Sequence, residues 1–260
     1  MTLTFGGWSS GDLWAPVVAF AASSAACLAG AAWTPERPWR LTLLVAGSLA
    51  APVAVGSAAF AAGADGATTG VILTCAGAAG LLLATWVITR RPGPDARDVR
   101  AVIEATALAT GAIGIVMAAG DSTRLAEALT VAFPAMAVAG LRLDRSWYQP
   151  MAVGAAVLAA WSWIYVAGVR EPEAYTLPAA AGTLAASVLA LRGRPAVSSW
   201  LAYGPALFLA LVPSLVLCLS EQGAVRPLAL FVGGAVVLLA GAAKRLQAPV
   251  IAGALTVVVV

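Results

Sequence analysis

Few residues in this chain are equipped for chemistry. Glu171 and Glu173 stand two apart, beside Arg170 and Tyr175. Two carboxylates at that spacing in an ordered loop can act as acid and base, or converge on a cation. A hard cation needs more oxygen ligands than two, so a solvated turn around Pro172 is the competing reading. Glu104, Arg124 and Glu127 lie in or beside long apolar runs, where charge is expensive and usually functional. Each is near enough to a segment end to reach an interface by snorkelling, and Arg124 and Glu127 are three apart, close enough to pair on one helical face. No run holds Asp, Glu, Lys or Arg at its centre, which favours interfacial anchoring over a proton or ion relay.

The turn Gly120-Asp121-Ser122-Thr123 has the order of a Gly-Asp-Ser hydrolase opening, in which the serine needs a base and an oxyanion hole. The chain contains no histidine, so a triad cannot be completed and the commonest metal ligand is missing. The expected role of Asp121, Ser122 or Thr123 is instead to cap the following helix. Cys27, Cys75 and Cys218 all fall inside apolar runs, which supports neither a disulfide framework nor a thiolate site. Phosphate-binding loops, paired-cysteine spacings and dinucleotide fingerprints do not occur. No enzymatic activity, cofactor, metal or nucleic-acid partner is expected.

The elements that position these residues follow from composition. Apolar residues make up 61% of the 260 and charged ones 10%, outside the range of soluble domains. A helix needs about 17 to 25 apolar residues to cross a bilayer. Ten segments are read on that basis: Leu13 to Trp33, Leu41 to Gly63, Thr69 to Thr89, Val99 to Ala119, Leu125 to Leu141, Gln149 to Val169, Tyr175 to Leu191, Trp200 to Leu219, Pro227 to Ala243 and Pro249 to Val260. They are too long for barrel strands and lack period-two alternation. The expectation is an all-α, polytopic transmembrane helix bundle forming a single helical membrane domain. No Lys or Arg precedes Arg37, so the first run should persist as a membrane helix rather than a signal peptide.

Loop charge supplies an independent check. Arg37, Arg40, Arg90, Arg91, Arg97, Arg100, Arg142, Arg145, Arg192, Arg194, Lys244 and Arg245 fall in or beside odd-numbered loops, twelve of the fifteen cations. The even loops hold only Arg124, Arg170 and Arg226. Cytoplasmic loops carry the Lys and Arg excess, so the expected topology puts the N-terminus and even loops outside a plasma membrane and the odd loops in the cytoplasm. Aromatic residues gather near segment ends: Trp33, Trp39, Trp147, Tyr148, Trp163, Tyr165, Tyr175, Trp200 and Tyr203. That placement predicts interfacial belts.

Small residues recur three or four apart in Gly47 with Ala51, Gly77 with Gly80, and Gly111 with Gly114, a spacing that lets helix backbones approach closely in lipid. Pro134 and Pro213 are expected to kink their helices. The last segment offers twelve residues from Pro249, about 18 Å of helix, which predicts that the native protein continues past Val260.

Three stretches carry a resemblance. Glu173 to Pro178 reads Glu-Ala-Tyr-Thr-Leu-Pro, with Glu173, Tyr175 and Pro178; a basic turn with Arg194-Pro195 leads into Ser198-Ser199-Trp200-Leu201 and then Tyr203-Gly204-Pro205; and Lys244 to Pro249 closes the pattern with Arg245, Gln247 and Pro249. Over roughly residues 147–260 the chain resembles a family of large, uncharacterised actinobacterial integral membrane proteins. The resemblance implies a polytopic envelope protein with further helices and brings no activity with it. The first reading is therefore a non-enzymatic membrane module of a larger envelope protein, whose partners are the lipid bilayer and other membrane helices. A transporter or lipid-handling protein is the alternative, since transporter folds are often built from repeated hairpins.

Overall fold

The computed structural model describes residues 14–34, 36–90, 94–141, 146–191, 198–220 and 224–260. Among the described residues the chain forms ten helices and no strand: α1 (Trp14–Trp33), α2 (Arg37–Ala61), α3 (Gly66–Arg90), α4 (Pro94–Ala118), α5 (Ser122–Gly140), α6 (Tyr148–Val166), α7 (Pro172–Leu191), α8 (Ser199–Ser220), α9 (Val225–Ala243) and α10 (Gln247–Val259). Each expected apolar run coincides with one helix. The largest departure is at α4, which opens at Pro94 and not Val99. Proline is preorganised for a first helical turn, where its missing N–H would have had no partner anyway, and α7 opens on Pro172 for the same reason. The helices run on through Pro134 and Pro213.

Seven helices, α1 to α4, α6, α8 and α9, are long and apolar enough to cross a membrane. Arg124, Glu127 and the threonines lower the apolarity of α5, and the 13 residues of α10 make about 20 Å.

The pattern of burial is the reverse of a water-soluble bundle. Buried apolar residues are mostly alanines, among them Ala84, Ala118, Ala126 and Ala139, whereas large side chains face outward: Val116 is 74% exposed, Phe208 63% and Leu239 66%. In water such a surface would be unstable. In lipid it carries no penalty, because acyl chains are as apolar as leucine, and small residues inside let helices pack backbone to backbone.

The chain divides into two compact units, Met1–Ala155 and Ala156–Val260. In the first, α1 packs on α2, and α3 lies centrally against α2, α4 and α5. Its core joins Leu81, Ala107, Ala135, Ala139 and Tyr148. Ser24 Oγ donates to the Gly47 carbonyl at 2.8 Å, satisfying a buried hydroxyl across α1 and α2. In the second unit α8 lies against α7, α9 and α10, and α9 and α10 form a tight hairpin.

Three helices end in the same left-handed motif. After α2, Ala64 N–H donates to Ala59 O and Gly63 N–H to Phe60 O; after α6, Val169 donates to Ile164 and Gly168 to Tyr165; after α9, Leu246 donates to Gly241 and Arg245 to Ala242. The left-handed position is Gly63 (φ 84), Gly168 (φ 68) and Arg245 (φ 54) respectively. Glycine is the relaxed choice there, so Arg245 is the exception.

One aromatic expectation is overturned. Tyr148 is no interfacial belt residue: it is fully buried, stacked on Trp147 with ring centroids 3.9 Å apart. Around the sixth loop the aromatics also do more than anchor. Trp161 Nε1 donates to the Tyr175 carbonyl at 2.6 Å, and the Tyr175 hydroxyl donates to the Val169 carbonyl at 3.0 Å, clasping the end of α6 to the start of α7.

Candidate functional site

The charged candidates separate into distinct places. Glu104 does not snorkel. It is the eleventh residue of α4, is 6% exposed, and accepts from Arg100 Nε at 2.7 Å. Arg100 is equally buried, at 4%. Opening α4 at Pro94 makes Arg100 its seventh residue, one turn before Glu104, and sets the two charges on one face well inside the helix.

Arg124 and Glu127 pair as their spacing predicts, Nη1 to Oε2 at 2.8 Å, both partly exposed. Asp121 caps α5, its Oδ1 accepting from the backbone N–H of Thr123 at 2.8 Å and of Arg124 at 3.0 Å, so the Gly-Asp-Ser turn is a helix start. The loop before α3 is built the same way: Asp65 Oδ1 accepts from Thr68 N–H at 2.6 Å. The Thr68 hydroxyl and amide, helped by the positive charge of Arg124, hold the Asp65 carboxyl below its ordinary 3.8.

Glu171 and Glu173 do converge, on a cation that the local sequence did not suggest. Arg226, at the start of α9, places Nε 2.9 Å from Glu173 Oε1 and Nη2 3.6 Å from Glu171 Oε2. The pair is an ion-pair clasp between the starts of α7 and α9. The sequence held no clear signal for it: loop six also carries Arg170 and loop eight also carries Glu221, so loop charge does not single out this pairing.

The stretches singled out by resemblance also meet. Ser199 Oγ accepts from Ala248 N–H at 3.4 Å, joining the start of α8 to the start of α10. Pro249 is buried against Gly241, where an added Cβ would lie 2.8 Å from the proline Cβ. Trp200, Gly204 and Pro205 line a groove of about 690 Å³ between α8 and α10. Gln247 is exposed, and Glu173, Tyr175 and Pro178 belong to α7. Arg194 and Pro195 lie outside the described residues.

Three further cavities, of about 320, 240 and 330 Å³, lie in the first unit, among α1 to α6. None of the four is lined by a charged side chain. Where threonines line them, Thr74, Thr106 and Thr110 donate to carbonyls four residues back on their own helices, at 2.7 to 2.9 Å. Their donors are already spent on backbone. Among the described residues no three His, Cys, Asp or Glu side chains come close enough to hold a metal ion.

Fold and side-chain chemistry together define an all-α protein in which, among the described residues, seven helices are long and apolar enough to cross a membrane, as a multi-pass membrane protein requires. The chain matches no protein-family model, no curated protein and no solved structure.

Proposed function

We propose that this chain is a non-enzymatic membrane module of a larger envelope protein, acting through helix association and not through a solute path. The observation that carries the reading is backbone-to-backbone packing in both units. A Cβ added to Gly77 would lie 2.7 Å from the Ala107 carbonyl oxygen, and one added to Gly253 would lie 2.6 Å from that of Gly234. Such seams leave no space for water between the two helices that share them. The paired charges and the uncharged cavities agree with it, and the envelope assignment rests on the resemblance read from the sequence of residues 147–260 alone.

In this reading α5, α7 and α10 also lie at membrane depth, the even loops face outside and the odd loops face the cytoplasm. Partners are lipid and other membrane helices. Substituted-cysteine accessibility tests it: with Cys27, Cys75 and Cys218 replaced by serine, single cysteines at Thr74, Ala107 and Thr110 should resist a water-soluble maleimide in reconstituted vesicles. Labelling at these depths that a solute protects against would establish an aqueous path and overturn the proposal in favour of transport.

A further inference from the structure

We infer that the groove between α8 and α10 holds an acyl chain of an anionic phospholipid, with the phosphate seated at the Lys244-Arg245 turn. The inference rests on the membrane-module reading, and its assignment to the cytoplasmic leaflet rests on the orientation proposed there.

The groove has the chemistry of an acyl-chain site. Its volume of about 690 Å³ falls within the range of ligand sites. Trp200, Gly204, Phe208, Leu211 and Leu215 recur along one face of α8 and form one wall. That wall is about 22 Å long at 1.5 Å per residue, more than one leaflet's share of the roughly 30 Å hydrocarbon core. Leu255 and Val259 of α10 form the opposite wall, and the Thr256 hydroxyl between them is spent on the Ala252 carbonyl at 2.9 Å. Nothing along its length asks for a polar ligand.

The headgroup end is set by the bond between Ser199 and Ala248, which fixes the Trp200 mouth of the groove beside the turn that links α9 to α10. Lys244 and Arg245 on that turn are exposed, and no carboxylate pairs with either among the described residues. Arg245 occupies the left-handed position that the ends of α2 and α6 give to glycine. A strained cation kept where a relaxed glycine would serve points to a ligand for the charge. A second membrane helix in the groove would fill the apolar walls and leave both cations unused; an anionic phospholipid uses both.

The full chain, purified in micelles containing equal amounts of phosphatidylglycerol and phosphatidylcholine, is read by native mass spectrometry for retained lipid. Phosphatidylglycerol should be retained in preference by roughly thirtyfold, the effect of two juxtamembrane cations. The exposed double variant Lys244→Gln, Arg245→Gln should lose the preference, and Ala252→Phe, which fills the groove, should lose retention of both lipids. Arg245→Gly separates ligand binding from structure: it should raise Tm while reducing the preference. Equal retention of the two lipids by the parent chain, an unchanged preference in the double variant, or a dimer that Ala252→Phe dissociates would each overturn the inference while leaving the membrane reading intact. Release of the chain from membranes by alkaline carbonate would overturn both.

Discussion

Gly70 and Gly114 meet backbone to backbone across α3 and α4. A Cβ on Gly70 would lie 2.5 Å from the Gly114 carbonyl oxygen, and one on Gly114 would lie 2.5 Å from that of Gly70. The exclusion is reciprocal, so neither position accepts a side chain unless the two helices move apart. The register, with Gly77 against Ala107 and Gly111, continues the same antiparallel seam toward the other end of the pair.

Gly70→Ala and Gly114→Ala should therefore each destabilise the first unit by about 1–3 kcal/mol, the usual cost of overpacking. Gly154→Ala and Gly233→Ala, where an added Cβ meets nothing within 4 Å, serve as controls. These should be neutral or stabilising by up to about 1 kcal/mol, since alanine is the better helix former. Equilibrium unfolding in mixed micelles measures all four.

The Arg100 and Glu104 pair predicts an asymmetry. Glu104→Ala removes the buried carboxylate that Arg100 Nε bonds and should cost about 3–5 kcal/mol, whereas Glu104→Gln, which keeps an oxygen to accept that bond, should cost less. The same unfolding assay reads both. If the alanine variant is as stable as the parent, Glu104 is not held by Arg100 as described.

The clasp between α7 and α9 is graded by distance and exposure. A double-mutant cycle of Glu173→Gln with Arg226→Gln should give a coupling of about 1 kcal/mol, and the matching cycle with Glu171→Gln about 0.2 kcal/mol, since Glu171 is 3.6 Å away and 69% exposed. Both couplings should shrink as salt is raised.

Asp65 predicts a pH effect of known sign. Its folded pKa is lowered, so its contribution to stability is fully present above the ordinary 3.8 and fades as pH falls through the lower folded value. The difference in Tm between the parent chain and Asp65→Ala should thus be constant near neutrality and shrink below pH 3.8. A difference that grows on acidification would contradict the Thr68 hydrogen bonds as its cause.

All ten helices were legible in the sequence as apolar runs between loop signals, which are local properties, and seven of them are long and apolar enough to cross a membrane. The Gly77, Gly111 and Gly47 faces were legible for the same reason, as spacing on one helix. What escaped was pairing between elements. Arg226 lies far along the chain from Glu171 and Glu173, and no local pattern shows that α7 and α9 begin side by side. Arg100 escaped for another reason: as the second residue of a segment opening at Val99 it was counted with the adjoining loop, which left Glu104 a lone snorkelling acid, whereas α4 opens at Pro94 and holds both residues well inside the helix. Tyr148 was misread because nearness to a segment end says nothing about which way a ring faces. The α8–α10 groove needed coordinates, since its walls come from two helices joined only through a third.

Sidedness of the turns tests the membrane account most directly. Single cysteines at Ala64 and Arg170, in even loops, and at Thr34 and Lys244, in odd loops, are exposed to a membrane-impermeant maleimide in intact and in permeabilised cells. Ala64→Cys and Arg170→Cys should label in intact cells, and Thr34→Cys and Lys244→Cys only after permeabilisation. Labelling of Thr34→Cys and Ala64→Cys from the same side would contradict the membrane account, because α2 could not then cross the bilayer.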